Sequence, residues 1–570
     1  MARTSRIGHL TAFILGLPLL VLGACGGEIE ASGPGVVVSS HAPAALEFPP
    51  LGRPSSEGAD ESSAGPASVP ARGVIERPRP EVKQGRAVQA REGSLARPVA
   101  AIVADARQRA LEASKGRCRA SQTKVAVECV DLATGARLVS LDADRPLIPA
   151  SNLKVVTAGA ALLGLGIDAE FETIFEAIGR IEGGRLLGDL VVRAGADPMH
   201  QREGDGGLSR WFDALESDLR AAGIQAISGD VILDHGPFSA LGTGPEWPDE
   251  AQHWQQYCGL ASGFTANGGA YRVSVSSDSR AARVVLRPRE HEEHRLERRG
   301  SVDVGGKKND LRVGANEGGV TVAGRIPANF GPFVKEFRHP DPDRLFASTL
   351  RRGLEDRGIR VRSVLLPREE SANRASRGVA VHVMRSPVRS ILEAILGDSN
   401  NPVTDQLFTL LGGRLRGDGS REGSAAAIRD VLVENQIDVT GLVQVEGSGL
   451  SRANRLTART LCGVHAAVAA RPELASVYAD ALLLSGVDKK LKRRMVGTPA
   501  EGRVVAKTGW ISGASSLSGL ILDVDGTPLL AFAILVSYPR VSGLNTKAWK
   551  PMQDELCALF AGDLARRSSR

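Results

Sequence analysis

The sequence predicts an α+β protein: one discontinuous domain, its two parts at the ends of the folded chain, interrupted by inserted β-rich units. Three observations predict it. The chain has 570 residues, too many for one hydrophobic core, since cores stop growing beyond about 250–300 residues. Residues 147–166, "LIPASNLKVVTAGAALLGLG", read as an apolar helix early in the chain, whereas residues 502–539, "GRVVAKTGWISGASSLSGLILDVDGTPLLAFAILVSYP", alternate as strands near its end. Between them, "ISGDVILDHGPF", "YRVSVSSDSRAARVVLRP" and "GGVTVAGRIP" are short strand-like runs cut by Gly, Pro and Asp turns.

The N-terminus has the order of an export signal. Arg3 and Arg6 precede an apolar stretch from Leu10 to Leu22, too short to span a bilayer comfortably. It ends in Leu22, Gly23 and Ala24 before Cys25, which resembles a bacterial lipobox: residues 1–24 are a cleaved lipoprotein signal and Cys25 carries the lipid anchor. Acyl chains hold a protein at a membrane by burying methylenes, about 0.8 kcal/mol each. Residues 25–96 are rich in Pro, Gly, Ser and Ala without apolar periodicity, which predicts a disordered tether. No later stretch is long and apolar enough to span a bilayer, so the remainder is expected to be exported and water-soluble.

The folded part follows in order. A helix is expected around Val99 to Ser114, then two strands around a turn at Thr134 and Gly135, then the buried helix with Leu153, Val156, Ala160 and Leu163 on one face and Gly164 to Gly166 ending it. Residues 97–195 form the first part of the discontinuous domain, 196–375 the inserted β-rich units and 376–570 the second part. Asp525-Gly526 between two apolar runs marks a hairpin. A last amphipathic helix from Asn545 to Leu564 presents Met552, Leu556, Leu559 and Phe560. With Cys25 lipidated, five cysteines remain, and Cys118 and Cys129 flank a segment short enough for a disulfide to close in an oxidising compartment.

The formal charge of +6 is small for this length and is not gathered into an aromatic-interleaved stripe, which excludes nucleic acid as a partner. "HEEHRLERR" places His291 and His294 one residue too close for the zinc-protease pattern and reads as a solvated loop. With no phosphate loop or metal-ligand spacing, no cofactor is implied.

Ser151 and Lys154 lie one helical turn apart. Serine oxygen is a weak nucleophile until a base takes its proton, and a lysine three residues along lies within reach; the plain alternative is a helix cap beside a solvated lysine. Ser-x-x-Lys alone recurs by chance about once or twice in such a chain. Two further motifs follow in order: Ser399 and Asn401 in "GDSNNPVTDQLF", and Lys507, Thr508 and Gly509 in "VVAKTGWISG", with Trp510 next. A serine-lysine pair, a serine-asparagine pair and a Lys-Thr-Gly strand, in this order, are the signature set of penicillin-binding proteins and class A β-lactamases.

The chain resembles the D-alanyl-D-alanine carboxypeptidase/endopeptidase family, the low-molecular-mass class C penicillin-binding proteins. The resemblance rests on "PASNLKVVTAGAAL", "LLGDLVVRAGADP", "ISGDVILDHGPF", "DSNNPVTDQLF", "EGSGLSRANRLTA", "LLLSGVDKKLKRRMVGTPAEGRVVAKTG" and "SGASSLSGLI". The long interval from Ser151 to Ser399 favours this family over β-lactamases. The resemblance implies a penicilloyl-serine-transferase domain, β-lactamase/transpeptidase-like, with an antiparallel sheet and flanking helices. It implies a serine DD-peptidase that cleaves peptidoglycan stem peptides through an acyl-serine, with β-lactams as covalent inhibitors; the leader, Cys25 and Gly26 are expected to place it in the periplasm, held at the outer membrane by its lipid. Ser151 would be the nucleophile, Lys154 its base and Ser399 the proton relay. Asn401 would hold the substrate amide, and Lys507 and Thr508 its carboxylate. Gly509 would admit the substrate backbone, and the amides of Ser151 and Trp510 would form the oxyanion hole.

The chain departs from the family pattern at four places. Asn400 stands for the usual Asp, Thr404 and Asp405 for an alanine and an acid, Lys489 and Lys490 for a Gly-Thr pair, and Trp510 for a small hydroxyl residue. A β-lactamase-like hydrolase and a catalytically inactive wall-binding lipoprotein are the alternative readings. Trp510 and Lys489 are what would support the inactive one.

Overall fold

The structure is a computed structural model and describes residues 93–198, 207–238, 240–287, 298–316, 319–366 and 378–568. The leader, Cys25, the tether as far as residue 92, and the pair His291 and His294 lie outside the described residues. Within the expected tether, Leu95 is buried and its N–H bonds to the Leu138 carbonyl (3.2 Å), so the packed chain begins slightly earlier than its composition suggests.

The central sheet joins the two ends of the folded chain. Its six strands run in the order Leu483–Leu484, Val504–Ile511, Ala514–Leu522, Pro528–Ser537, Lys124–Asp131 and Arg137–Leu141, all antiparallel. The Pro528–Ser537 strand pairs with Lys124–Asp131 along its length, from Lys124 opposite Ser537 to Asp131 opposite Leu530. The Asp525-Gly526 turn has Gly526 at φ 87°, the left-handed value glycine tolerates. It joins the second and third strands of a meander; the Lys507 strand precedes it and turns at Ser512 and Gly513.

One face of the sheet is covered by two terminal helices. In Ala96–Ala113 the buried residues Val99, Val103, Ala106 and Ala110 form one stripe. Lys550–Ser568, preceded by a π-helical turn at Asn545–Trp549, buries Met552, Leu556 and Phe560 beside it. On the other face lies the Leu153–Gly164 helix, on which every residue from Leu153 to Leu163 is buried, including Lys154 and Thr157. A helix buried all round needs partners on every side, and here the Asn401–Arg416, Arg421–Glu434 and Ala458–Ala469 helices surround it.

The insertion is larger and less purely β than its sequence suggests. The strands Glu170–Glu182 and Arg185–Arg193, expected in the first part of the main domain, pair with each other, and Val379–Pro387 pairs with the former. With Val231–Asp234 and Val364–Leu365 they make a sheet covered by the helices Gly207–Ala221 and Pro342–Glu355, an α/β unit running from Glu170 to Pro387 rather than 196–375. The alternating pattern in Glu170–Arg193 identifies strands but not which sheet they join. Two smaller sheets, built from strands between Ala270 and Arg338, share a separate core around Tyr271, Val275, Val322 and Phe337.

The insertion is clamped to the main domain next to the second motif. Gln406 donates to the carbonyls of Ala196 (3.0 Å) and Ser262 (2.7 Å) and accepts from the Ser262 amide (2.7 Å). Cys118 and Cys129 are not bonded: all five cysteines of the described residues are free and buried. Cys129 packs on the layer shared with Cys557, so the spacing that suggested a closed loop instead reflects burial of small apolar side chains. Among the described residues no helix is long and apolar enough to cross a membrane, and no cluster of three or more His, Cys, Asp or Glu side chains is placed to hold a metal.

Candidate active site

Ser151 sits on a tight turn between strand layer and helix. Ala150 before it has φ 48°, unusual for a side-chain-bearing residue, and the Pro149 carbonyl accepts from Ser516 Oγ (2.7 Å) on the neighbouring strand. Ser151 does not cap the helix: the helix has no side-chain cap. Its Oγ lies 3.4 Å from Lys154 Nζ.

Lys154 is wholly buried, and its other contacts are shorter: 2.7 Å to Asn401 Oδ1 and 2.6 Å to the Ser448 carbonyl. A neutral amine donates twice and keeps one lone pair. In that neutral form, with both donors spent on Asn401 and Ser448, the lone pair is left for the Ser151 hydroxyl; as an ammonium, Lys154 donates its third hydrogen toward Ser151 Oγ. Burial pushes the Lys154 pKa down from the ordinary lysine range, opposed by the charges of Asp405 and Glu446. Asp405, buried on the Asn401 helix, accepts from the Gly447 amide (2.9 Å), and burial followed by the neighbouring Glu446 raises its carboxyl pKa.

The second motif is held by an irregular turn. A π-helical stretch at Glu393–Gly397 leads to Ser399, whose φ is 66°, before the helix starts at Asn401. Such irregularities cluster at functional sites. Asn400 is the N-cap of that helix, its side chain accepting from the Val403 amide (3.1 Å). Asn and Asp cap equally well, so this departure from the family pattern preserves the residue's structural task. Asn401 uses both ends of its amide, since Nδ2 donates to the Tyr257 carbonyl (2.9 Å) of the insertion. Asn401 therefore brackets Lys154 to the insertion, and it also lines the cavity wall, where its second Nδ2 hydrogen is available.

Lys507, on the third motif, is buried and donates to the Thr508 carbonyl (3.1 Å). Burial, reinforced by the charges of Lys154 and Lys490, lowers its pKa well below the usual lysine range. Gly509 is required for a reason beyond the one its motif suggested. A Cβ there would lie 2.2 Å from Ser516 Oγ and 2.9 Å from both Asn152 Nδ2 and the Pro149 carbonyl, so the missing side chain makes room for the Ser151 turn. Asn152 completes that join, donating to the Lys507 carbonyl (3.2 Å) and Ser516 Oγ (2.7 Å). The second and third motifs thus converge on the first.

A cavity of about 790 Å³ opens above this point, lined by Ser151, Ser399, Asn401 and Trp510, together with Trp247, Tyr257, Arg452 and Lys490. Lys154 and Lys507 are buried, and Thr508 is half-buried. Trp510 does not plug it: the indole is 58% exposed, and its Nε1 donates to Tyr538 Oη (3.2 Å). Lys489, at φ 34° where the family has glycine, points away into an ion pair with Asp398 and a longer one with Glu393. Neither change closes the cleft.

Four contributors were missed from sequence. The loop Glu446–Asn454, in the sequence a stretch of family resemblance, supplies the Ser448 carbonyl to Lys154, and its Gly449 packs so closely that a Cβ would meet the Ala150 carbonyl at 1.9 Å. Its two glycines were the available signal. Trp247 and Tyr257 come from the insertion; Trp247 Nε1 donates to Glu446 Oε2 (2.9 Å), a pairing no local pattern announces. Lys490, named in the sequence only as a departure from the family pattern, is the fourth, on the cavity wall.

The family model described as D-Ala-D-Ala carboxypeptidase 3 (S13) matches residues 108–558. The D-alanyl-D-alanine carboxypeptidase of Actinomadura sp. (strain R39) is 30% identical over 427 residues, covering 72% of this chain and 77% of that protein. D-alanyl-D-alanine carboxypeptidase DacB of Haemophilus influenzae is 26% identical over 413 residues, 70% of this chain and 82% of its own length. The crystal structure of penicillin binding protein 4 (dacB) from Haemophilus influenzae has the same fold, with a TM-score of 0.65 at 21% identity over 81% of this chain and 99% of that one.

Proposed function

This chain belongs to the D-Ala-D-Ala carboxypeptidase 3 (S13) family, and from that membership we propose how its residues divide the work of a serine DD-peptidase that cleaves peptidoglycan peptides. The observation that carries the assignment is the buried Lys154 amine beside the Ser151 hydroxyl, its two donors already engaged. Lys154 takes the Ser151 proton as Oγ attacks the carbonyl of the penultimate D-alanine. The amides of Ser151 and Trp510 receive the charge that develops on the carbonyl oxygen. Ser399, on the cavity wall, passes a proton to the departing amine, which is D-alanine in the carboxypeptidase reaction or the amine of a cross-linked neighbour in the endopeptidase reaction. Water then releases the acyl group from Ser151 and regenerates the hydroxyl. Thr508, with the buried Lys507 beside it, forms the third-motif end of the site that receives the terminal carboxylate. A β-lactam enters the same path and stalls at the acyl-Ser151 stage.

The test is release of D-alanine from a pentapeptide ending in D-Ala-D-Ala, paired with intact-mass spectrometry and peptide mapping after incubation with benzylpenicillin. D-Alanine release and a single adduct on Ser151 are the expected results; a folded protein that gives neither is not a peptidase.

The location is part of the same reading. The Arg3 and Arg6 leader and the Leu-Gly-Ala-Cys25 sequence support cleavage before Cys25 and a lipid-anchored periplasmic enzyme, and Gly26, without the acid associated with inner-membrane retention, supports the outer membrane. Cys25→Ser is expected to move the protein from the membrane to the soluble fraction. Continued detergent-dependent fractionation of that variant would contradict the anchor.

A further inference from the structure

Lys489 and Lys490 stand side by side and do opposite things. Lys489 turns out of the cleft, in a left-handed backbone conformation, to the carboxylates of Asp398 and Glu393, next to Ser399. This ion pair ties the short helical turn at Lys489–Leu491 to the second motif. Lys490 is exposed, lines the cavity together with Ser151, Ser399 and Asn401, and has no acidic partner among the described residues.

The cavity has two other cations on its wall, Arg452 and Arg540, but they stand elsewhere. Arg452 donates to the Ser512 carbonyl (2.8 Å), beyond the end of the Lys507 strand, and Arg540 packs against Gly513. The charge of Lys490 bears on both Lys154 and Lys507. Lys490 is thus an exposed cation on the wall that also carries Ser151, Ser399 and Asn401. Lys507 itself is poorly placed to supply a full positive charge, being buried, engaged with a carbonyl and disfavoured as an ammonium. At the next position but two along its strand, Trp510 offers an indole where a hydroxyl is usual.

We infer that Lys490 is a substrate-binding residue of this enzyme, supplying the ammonium that pairs with the terminal carboxylate of the peptide and of carboxylate-bearing β-lactams. The inference rests on the serine-peptidase reading above and deepens it. An exposed lysine on a cleft wall is a hydrated point charge on a flexible stem, so it selects for an anion without fixing its geometry. It adds attraction that a neutral or esterified ligand does not share, and that salt weakens.

The experiment compares second-order acylation rates of the full chain by benzylpenicillin and by its methyl ester, in which the carboxylate charge is removed. The wild-type protein is expected to prefer the free acid, and Lys490→Met to lower the acid-to-ester ratio about tenfold. Lys490→Arg keeps the ratio, and added salt compresses it in the wild type more than in Lys490→Met. An unchanged ratio in Lys490→Met overturns the assignment, because any general damage to the site slows both probes alike. Absence of a Ser151 adduct with either probe in the wild-type protein is a different failure: it removes the peptidase reading itself.

Discussion

Ser151→Ala is expected to give no covalent adduct with benzylpenicillin and to lower D-alanine release by roughly 10⁴- to 10⁶-fold, the scale on which loss of a catalytic nucleophile acts. The structure makes this substitution a clean one. Ser151 makes no helix-cap bond, its Oγ contact with Lys154 is long at 3.4 Å, and the turn that carries it is held by Pro149, Asn152 and Ser516 rather than by the hydroxyl. The variant should therefore melt near the wild-type temperature while losing its chemistry. Full labelling of Ser151→Ala by penicillin would place the nucleophile elsewhere, with Ser399 the next hydroxyl on the cavity wall.

Lys154→Met and Lys154→Arg are both expected to lower acylation by about 10²- to 10⁴-fold, for opposite reasons. Methionine keeps the volume of the buried stem but provides nothing to take the Ser151 proton. It also leaves Asn401 Oδ1 and the Ser448 carbonyl without their donor, a loss of about 1–3 kcal/mol for each buried acceptor that finds no substitute. Arginine restores donors but stays charged at every accessible pH and cannot accept a proton. If Lys154→Arg were nearly as active as wild type, the residue would serve as a fixed charge rather than as a base.

The pH profile tests the same proton. Burial favours the neutral amine, so acylation should rise with pH along a limb set by Lys154 and lying below the ordinary lysine range. Asp405 opposes that shift because a nearby carboxylate stabilises the ammonium. Asp405→Asn removes the charge while leaving an oxygen for the Gly447 amide. Lys154 then loses its proton more readily, and the rising limb moves to lower pH. A limb that stays in place would remove Asp405 from the electrostatics of the base.

Local pattern carried much of the architecture. Val99, Val103 and Ala106 at helical spacing, the alternation from Val504 to Val536 and the Asp525-Gly526 turn are each dictated by neighbours within a few residues, so helix and strand could be read where they form. Glu170–Arg193, expected within the first part of the main domain, joins the insertion instead, because strand pairing is decided by long-range packing and leaves no mark in the local sequence. Gly509 was legible as necessary, but the reason lay in a turn more than 350 residues away in sequence, at Pro149 and Asn152.

The sequence by itself determined which residue types the chemistry has at its disposal: a serine and lysine one helical turn apart, a second serine with Asn401, and a Lys-Thr-Gly strand, in family order. Their spacing along a helix or strand is a local property, and so it survives in the string of letters. Only the tertiary structure decided what each group does with its charge and its hydrogen bonds. It buried Lys154 and spent its donors on Asn401 and Ser448. It turned Asn401 into a bracket to Tyr257, sent Lys489 to Asp398, and left Lys490 facing the cleft. The physical reason is that desolvation and hydrogen-bond satisfaction depend on every element packed around a group, and those elements here come from both ends of the chain and from the insertion between them.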